Sequence, residues 1–157
     1  MSRYYASLIT ALTAGLMAAG SLHADDAAPQ GIERLSGSAN IDDVESRLRQ
    51  ALDDRDLTLV QMVDHAANAA NVELDLSETR LFMFGNPEVG TPMMQCQGSV
   101  ALDLPQKMVI RQDGDQVHIE WNDPHYLAER HGLDECELPL DNVASVLSEV
   151  ASEALGD

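Results

Sequence analysis

Six residues could carry chemistry by type: His65, Met83, Met93, Met94, Cys96 and His118. Thioether, thiolate and imidazole together suit Cu(I). His65, Met93, Met94 and Cys96 form the candidate metal set, and copper is the one cofactor these residues suggest. The spacing does not favour a site. No histidine pair stands at i, i+4, there is no C-x-x-C, and neighbouring residues on a helix, as Met93 and Met94 would be, point about 100° apart. The plainer reading is that these methionines fill gaps in a core. His65 follows Asp64 at the end of an apolar run, where a carboxylate could orient an imidazole as a general base. Against that, consecutive residues of a strand face opposite sides. There is no G-x-S-x-G, no H-E-x-x-H, no glycine-rich phosphate loop and no C-x-x-C-H. No catalytic residue is therefore assigned, and binding is expected in preference to catalysis. The candidate ligand residues are Asp64, His65, Phe84 and Asn86. Phe82, Phe84, Met62, Met83, Met108 and Trp121 could line an apolar site, or they could simply fill the core.

Cys96 and Cys136 are the only cysteines. Their reading depends on compartment. Residues 1–24 have the form of a secretory signal: Arg3, an apolar run from Leu8 to Ala19, and small residues up to Ala24 before Asp25-Asp26. The run is short for a membrane span, which leaves an uncleaved anchor as the alternative. The expected destination is the periplasm or the exterior, where two cysteines most often pair. A Cys96–Cys136 disulfide is expected, with two free structural thiols or a reactive or metal-binding pair as alternatives.

The 157 residues fit one domain after the signal, with 25–31 as a polar linker and 32–157 as the domain. Acidic residues number 27 and basic ones 9. All the acids follow Ala24 and Arg3 precedes it, so a chain beginning at Asp25 carries 8 − 27 = −19. Such a surface repels nucleic acid and anionic lipid. No nucleic-acid or membrane partner is expected once the signal is removed. A small ligand, a metal ion or a second copy of the chain are the partners left.

The elements that must position these residues are read from periodicity. Ile32–Ser36 is a short strand. Asn40 caps a helix over 41–54, with Val44, Leu48, Ala51 and Leu52 on its inner stripe. Leu57–Val63 is a strand, Ala66–Leu74 a small-residue helix, and Arg80–Phe84 a third strand stopped at Gly85-Asn86-Pro87. Thr91 and Pro92 fit the cap and first turn of a helix ending near Gln97. Leu104-Pro105 leads into a hairpin turning at Asp113-Gly114, in a register that pairs Ile110 with Val117, Met108 with Ile119 and Lys107 with Glu120. A helical turn over 126–131 and an amphipathic helix over 140–155 complete the chain. The order β-α-β-α-β-α-β-β-α-α predicts an α+β fold with helices mainly on one face of the sheet.

Asp64-His65 with its alanine-rich turn, Phe84-Gly85-Asn86-Pro87, Gly90-Thr91 with Met93-Met94, Leu102-Asp103-Leu104-Pro105 and the hairpin ending in Trp121-Asn122-Asp123-Pro124 together resemble the DUF302 family. The resemblance covers roughly Gly31 to Gly132. It implies a curved, mainly antiparallel sheet of about five strands with helices on one face, similar to the TATA-box-binding-protein arrangement. It further implies frequent export and dimer formation, and leaves the activity open. Cys96, Cys136 and the last helix lie outside the pattern.

Overall fold

The hairpin forms one residue further along than expected. In the computed structural model, which describes residues 28–157, Gly114 and Asp115 are the two turn residues between β4 (Gln106–Asp113) and β5 (Gln116–Asn122). Gly114 has φ of 57°, the positive value that a two-residue hairpin turn with glycine first requires. The pairing is therefore Met108 with Trp121, Ile110 with Ile119 and Gln112 with Val117. Each partner moves by two positions, so the faces are unchanged and Met108, Ile110, Val117, Ile119 and Trp121 all stay in the core. What changes is the ion pairing. Lys107 donates to the Asp103 and Pro105 carbonyls, and Glu120 instead meets Arg34 and Arg111.

Three more strands complete the sheet: β1 (Ile32–Gly37), β2 (Thr58–Asp64) and β3 (Thr79–Gly85). The order is β1-β5-β4-β3-β2, with every neighbour antiparallel. β1 and β2 form the edges, and β2 carries an irregularity between Leu59 and Gln61 that leaves Val60 exposed. The expected signal over 1–24 and the start of the expected linker lie outside the described residues.

One face of the sheet is covered by α1 (Ile41–Asp53) and α5 (Leu140–Leu155). α1 starts where Asn40 Oδ1 accepts the Asp42 and Asp43 backbone N–H groups. Its stripe of Ile41, Val44, Leu48, Ala51 and Leu52 is buried. It packs on Leu147, Val150, Ala151 and Ala154 of α5 and on Phe82, Phe84 and Met108 of the sheet. The two helices run antiparallel, since Arg47 reaches the Ala154 and Leu155 carbonyls while Arg55 reaches Glu149 and Glu153. A helix of 16 residues is about 24 Å long. The first turns of α5 therefore run past the end of α1.

α2 (His65–Ala70) is a short exposed helix at the far end of β2. α3 (Pro87–Cys96) begins earlier than expected. Asn86 is its cap, accepting from the Glu88 N–H, and Pro87 takes the first position, so Pro92 falls inside the helix. Both Asn86-Pro87 and Thr91-Pro92 satisfy the start rule. The earlier pair wins because it directly ends β3. A 3-10 turn (Gly98–Leu102), a cis Leu104–Pro105 peptide and α4 (Pro124–His131) follow. They form a second small core of Met93, Val100, Ala128 and Leu133, against which Cys96, Leu104, Leu138 and Leu140 pack. Cys96 and Cys136 are joined as a disulfide, with their Cα atoms 6.4 Å apart. Among the described residues no helix is long and apolar enough to cross a membrane.

Candidate functional site

A cavity of about 650 Å³ opens where the sheet runs beyond α1. Its floor is the end of the sheet: Val60 on β2, Phe84 and Gly85 on β3, and Gln106 at the start of β4. Its roof is the first half of α5, through Val143, Val146 and Leu147. α3 makes one wall with Val89, Met93 and Met94, and the Leu104-Pro105 turn closes the corner beside it. Leu57 and Arg55, just past α1, make the other side. The α5 stripe thus divides. Leu147, Val150 and Ala154 are buried against the core, while Val143 and Val146 are only partly covered and overlook open space.

Five lining residues carry polar side chains: Arg55, Asn86, Thr91, Gln106 and Asn142, of which Thr91 and Asn142 are exposed. Asn86 Oδ1 caps α3. Arg55 is the one charged lining residue, and it is held by Glu153 at 2.6 and 2.9 Å and by Glu149 at 3.5 Å. The Glu153 hydrogen bond raises the Arg55 pKa further and holds the Glu153 carboxyl below its ordinary value. Gln106 is different. It is 8% exposed, and its Oε1 is buried with no hydrogen-bond partner among the described residues. A buried amide without a partner costs about 1–3 kcal/mol. Nothing in the sequence singles out Gln106.

The predicted site residues are dispersed. Phe84 and Asn86 line the cavity. Asp64 and His65 do not: Thr58 pairs with Gly85 but Asp64 pairs with Arg80. Six residue steps along β2 separate the two ends, which is about 20 Å. Asp64 caps α2 through the Ala67 N–H, and His65 is exposed on that helix. The four expected ligand residues thus fall into two groups at opposite ends of β2. The metal set is likewise divided. Met93 and Met94 line the cavity, His65 is at the other end, and Cys96 is committed to the disulfide and offers no thiolate. Among the described residues there is no group of three or more His, Cys, Asp or Glu side chains placed to hold a metal ion. Of the expected apolar lining, only Phe84 reaches the cavity; Phe82, Met108 and Trp121 are core.

Two Ser–His–Asp contacts were not visible in the sequence. His131 Nδ1 lies 3.0 Å from Ser99 Oγ, and its Nε2 lies 2.6 Å from Asp103 Oδ2. His118 Nδ1 lies 2.6 Å from Ser36 Oγ, and its Nε2 lies 3.8 Å from Asp113. None of these six residues lines the cavity. The first set ties α4 to the 3-10 turn, where Asp103 also meets Arg130. The second ties β1 to β5 on the sheet face away from the helices, beside the Arg34–Glu120–Arg111 group. In both, the serine sits on Nδ1 and the acid on Nε2, the reverse of the arrangement in serine hydrolases.

Comparison with known proteins agrees with this architecture. Three fluoride-specific ion channel proteins from Brucella share a segment with the chain. The FluC 1 proteins of Brucella suis biovar 1 and Brucella abortus biovar 1 are each 44% identical over 72 residues, 45% of this chain and 28% and 27% of theirs. The FluC 2 protein of Brucella melitensis biotype 1 matches at the same identity over 27% of its length. The chain therefore spans little more than a quarter of these relatives. The crystal structure of a DUF302 protein from Bacillus stearothermophilus superimposes with a TM-score of 0.73 at 14% identity, covering 80% of this chain and 99% of that one. The model of the family described as a domain of unknown function, DUF302, matches residues 33–154, so nearly every element from β1 to α5 lies within it and the chain belongs to the DUF302 family.

Proposed function

We propose that this DUF302 protein is a non-catalytic binding protein that holds a small apolar molecule between α3, α5 and the sheet. The observation that carries the reading is the apolar cavity of about 650 Å³. That volume lies in the range of small-molecule sites, and the lining has the usual character of such sites, apolar walls with a few polar groups. The test is fluorescence titration with N-phenyl-1-naphthylamine, an apolar dye that brightens out of water. The native protein is expected to bind it, and Val146→Trp, which fills the roof, is expected to abolish binding with melting retained. No dye enhancement, or equal enhancement in both proteins, rejects the reading.

The copper- or redox-linked alternative has Met93 and Met94 in its favour, because both border the cavity. It loses Cys96 as a ligand while the disulfide is intact. Anaerobic Cu(I) titration of native and Met93→Leu/Met94→Leu proteins decides it, and equal affinities reject it. A periplasmic address and a homodimer complete the proposal. Support for the first is the signal-like residues 1–24. Support for the second is the pair of open sheet edges, β1 and β2. N-terminal mass analysis of exported protein and light scattering test them.

A further inference from the structure

The structure assigns a chemical class to the occupant of this cavity: a neutral, largely apolar molecule carrying a hydroxyl group that pairs with the carboxamide of Gln106. This rests on the cavity being a binding site. Three observations carry it. First, Gln106 sits at the start of β4, on the floor of a largely apolar space, and is 8% exposed with Oε1 buried and unpartnered among the described residues. Carboxamides turn easily about their last torsion, so either the oxygen or the NH₂ can be offered to a ligand. A hydroxyl donates and accepts, and so satisfies either presentation. Second, most of the lining side chains lack hydrogen-bonding capacity, among them Phe84, Met93, Leu104 and Val146, and the polar Thr91 and Asn142 are exposed. The apolar walls accept hydrocarbon, and among the uncharged polar lining residues Gln106 is the one that is buried with an unpartnered atom. Third, the one cation in the lining, Arg55, is already neutralised by Glu149 and Glu153. The chain as a whole carries −18. A fatty or aromatic carboxylate would approach against that field and find no free cation among the lining residues.

The experiment displaces N-phenyl-1-naphthylamine with naphthalene, 2-naphthol and 2-naphthoate at neutral pH. These probes share one ring system and differ in a hydroxyl or a charge. Against the native protein, 2-naphthol is expected to compete about tenfold better than naphthalene, the value of one buried hydrogen bond, and better than 2-naphthoate by more. Gln106→Leu is expected to melt at a higher temperature and to lose the preference for 2-naphthol over naphthalene. Equal competition by naphthalene and 2-naphthol, or a preference that survives Gln106→Leu, overturns the hydroxyl assignment while leaving the cavity as a site. Strongest competition by 2-naphthoate overturns the neutral class. Absence of dye binding to the native protein overturns the cavity reading itself, and this inference with it.

Discussion

The Cys96–Cys136 bond should govern both the stability of the protein and the shape of its cavity. Cys96 ends α3, whose Val89, Met93 and Met94 make one cavity wall, and Cys136 lies just before α5, which makes the roof. The bond therefore fastens wall to roof. It closes a loop of 40 residues. On the chain-entropy relation, a loop of that length restricts the unfolded chain by about 13 cal/mol/K, or ~4 kcal/mol at 25 °C. For the 130 residues from 28 to 157, the unfolding entropy is roughly 0.27 kcal/mol/K, so ~4 kcal/mol corresponds to a fall in Tm of about 15 °C. Cys96→Ser/Cys136→Ser is the perturbation, with the native protein reduced by phosphine as the matched control. Differential scanning calorimetry reads the stability, and dye titration at a temperature where both forms are folded reads the cavity. Both treatments are expected to lower Tm alike and to weaken dye binding. A Tm within a few degrees of native in both would refute the stabilising role of the bond. An undiminished dye affinity alongside the lower Tm would refute the coupling of the bond to the cavity.

Three other outcomes follow from single contacts. Gln106→Leu should raise stability by ~1–2 kcal/mol in urea denaturation without ligand, because it replaces an unpaired buried amide by hydrocarbon of similar size; a loss of stability would mean the amide has a partner in solution. Glu120 is held below its ordinary value: burial alone would raise it, and the hydrogen bonds from Arg111 and Arg34 outweigh that. A depressed folded pKa gives stability that is present above the ordinary glutamate value of 4.5 and is lost as pH falls through the folded value. Glu120→Gln should therefore cost stability at pH 7 and flatten the acid limb of the stability curve below pH 4.5; parallel curves for both proteins would reject the linkage. Gly31 has φ of 76°, and a Cβ there would overlap the Tyr126 ring. Gly31→Ala should destabilise by on the order of 2–4 kcal/mol in the same denaturation assay, and an unchanged midpoint would show that Gly31 does not lie against the Tyr126 ring.

Most of the fold was legible because its signals are local. Val44, Leu48 and Leu52 recur at helical spacing and do line the buried face of α1. The β4–β5 faces were right even with the turn misplaced by one residue, because side-chain direction has a period of two and the error moved each partner by two. Where two local signals of equal strength competed, the sequence could not rank them. Asn86-Pro87 and Thr91-Pro92 both announce a helix, and only the position of the end of β3 decides. The site was less legible for a related reason. Asp64 and His65 stood out by chemical type, yet the antiparallel pairing of β2 with β3 sends them to the end of the sheet away from Phe84 and Asn86. Gln106 did not stand out at all, since a glutamine beside a proline carries no pattern.

The cavity follows from a mismatch of lengths, and this explains why ordinary residues define it. α1 has 13 residues and α5 has 16, and the antiparallel pair is in register at the C-terminal end of α5, where Arg47 and Arg55 anchor it. The first turns of α5 therefore overhang a part of the sheet that α1 does not cover. In a protein selected only for stability, that overhang would be filled by larger side chains, each buried methylene adding about 0.8 kcal/mol. Here the facing positions hold Val60, Val143 and Val146, and the floor holds an amide. α3 and the disulfide then keep the space from collapsing, by fixing the wall to a second core of Met93, Val100, Ala128 and Leu133. Two separately packed cores with an open space between them give a cleft whose sides are held by different side-chain clusters. Val146→Leu should accordingly increase stability while reducing the affinity for N-phenyl-1-naphthylamine. If it instead lowered Tm as overpacking would, the space would be smaller in solution than the lining implies, and the binding role would lose its basis.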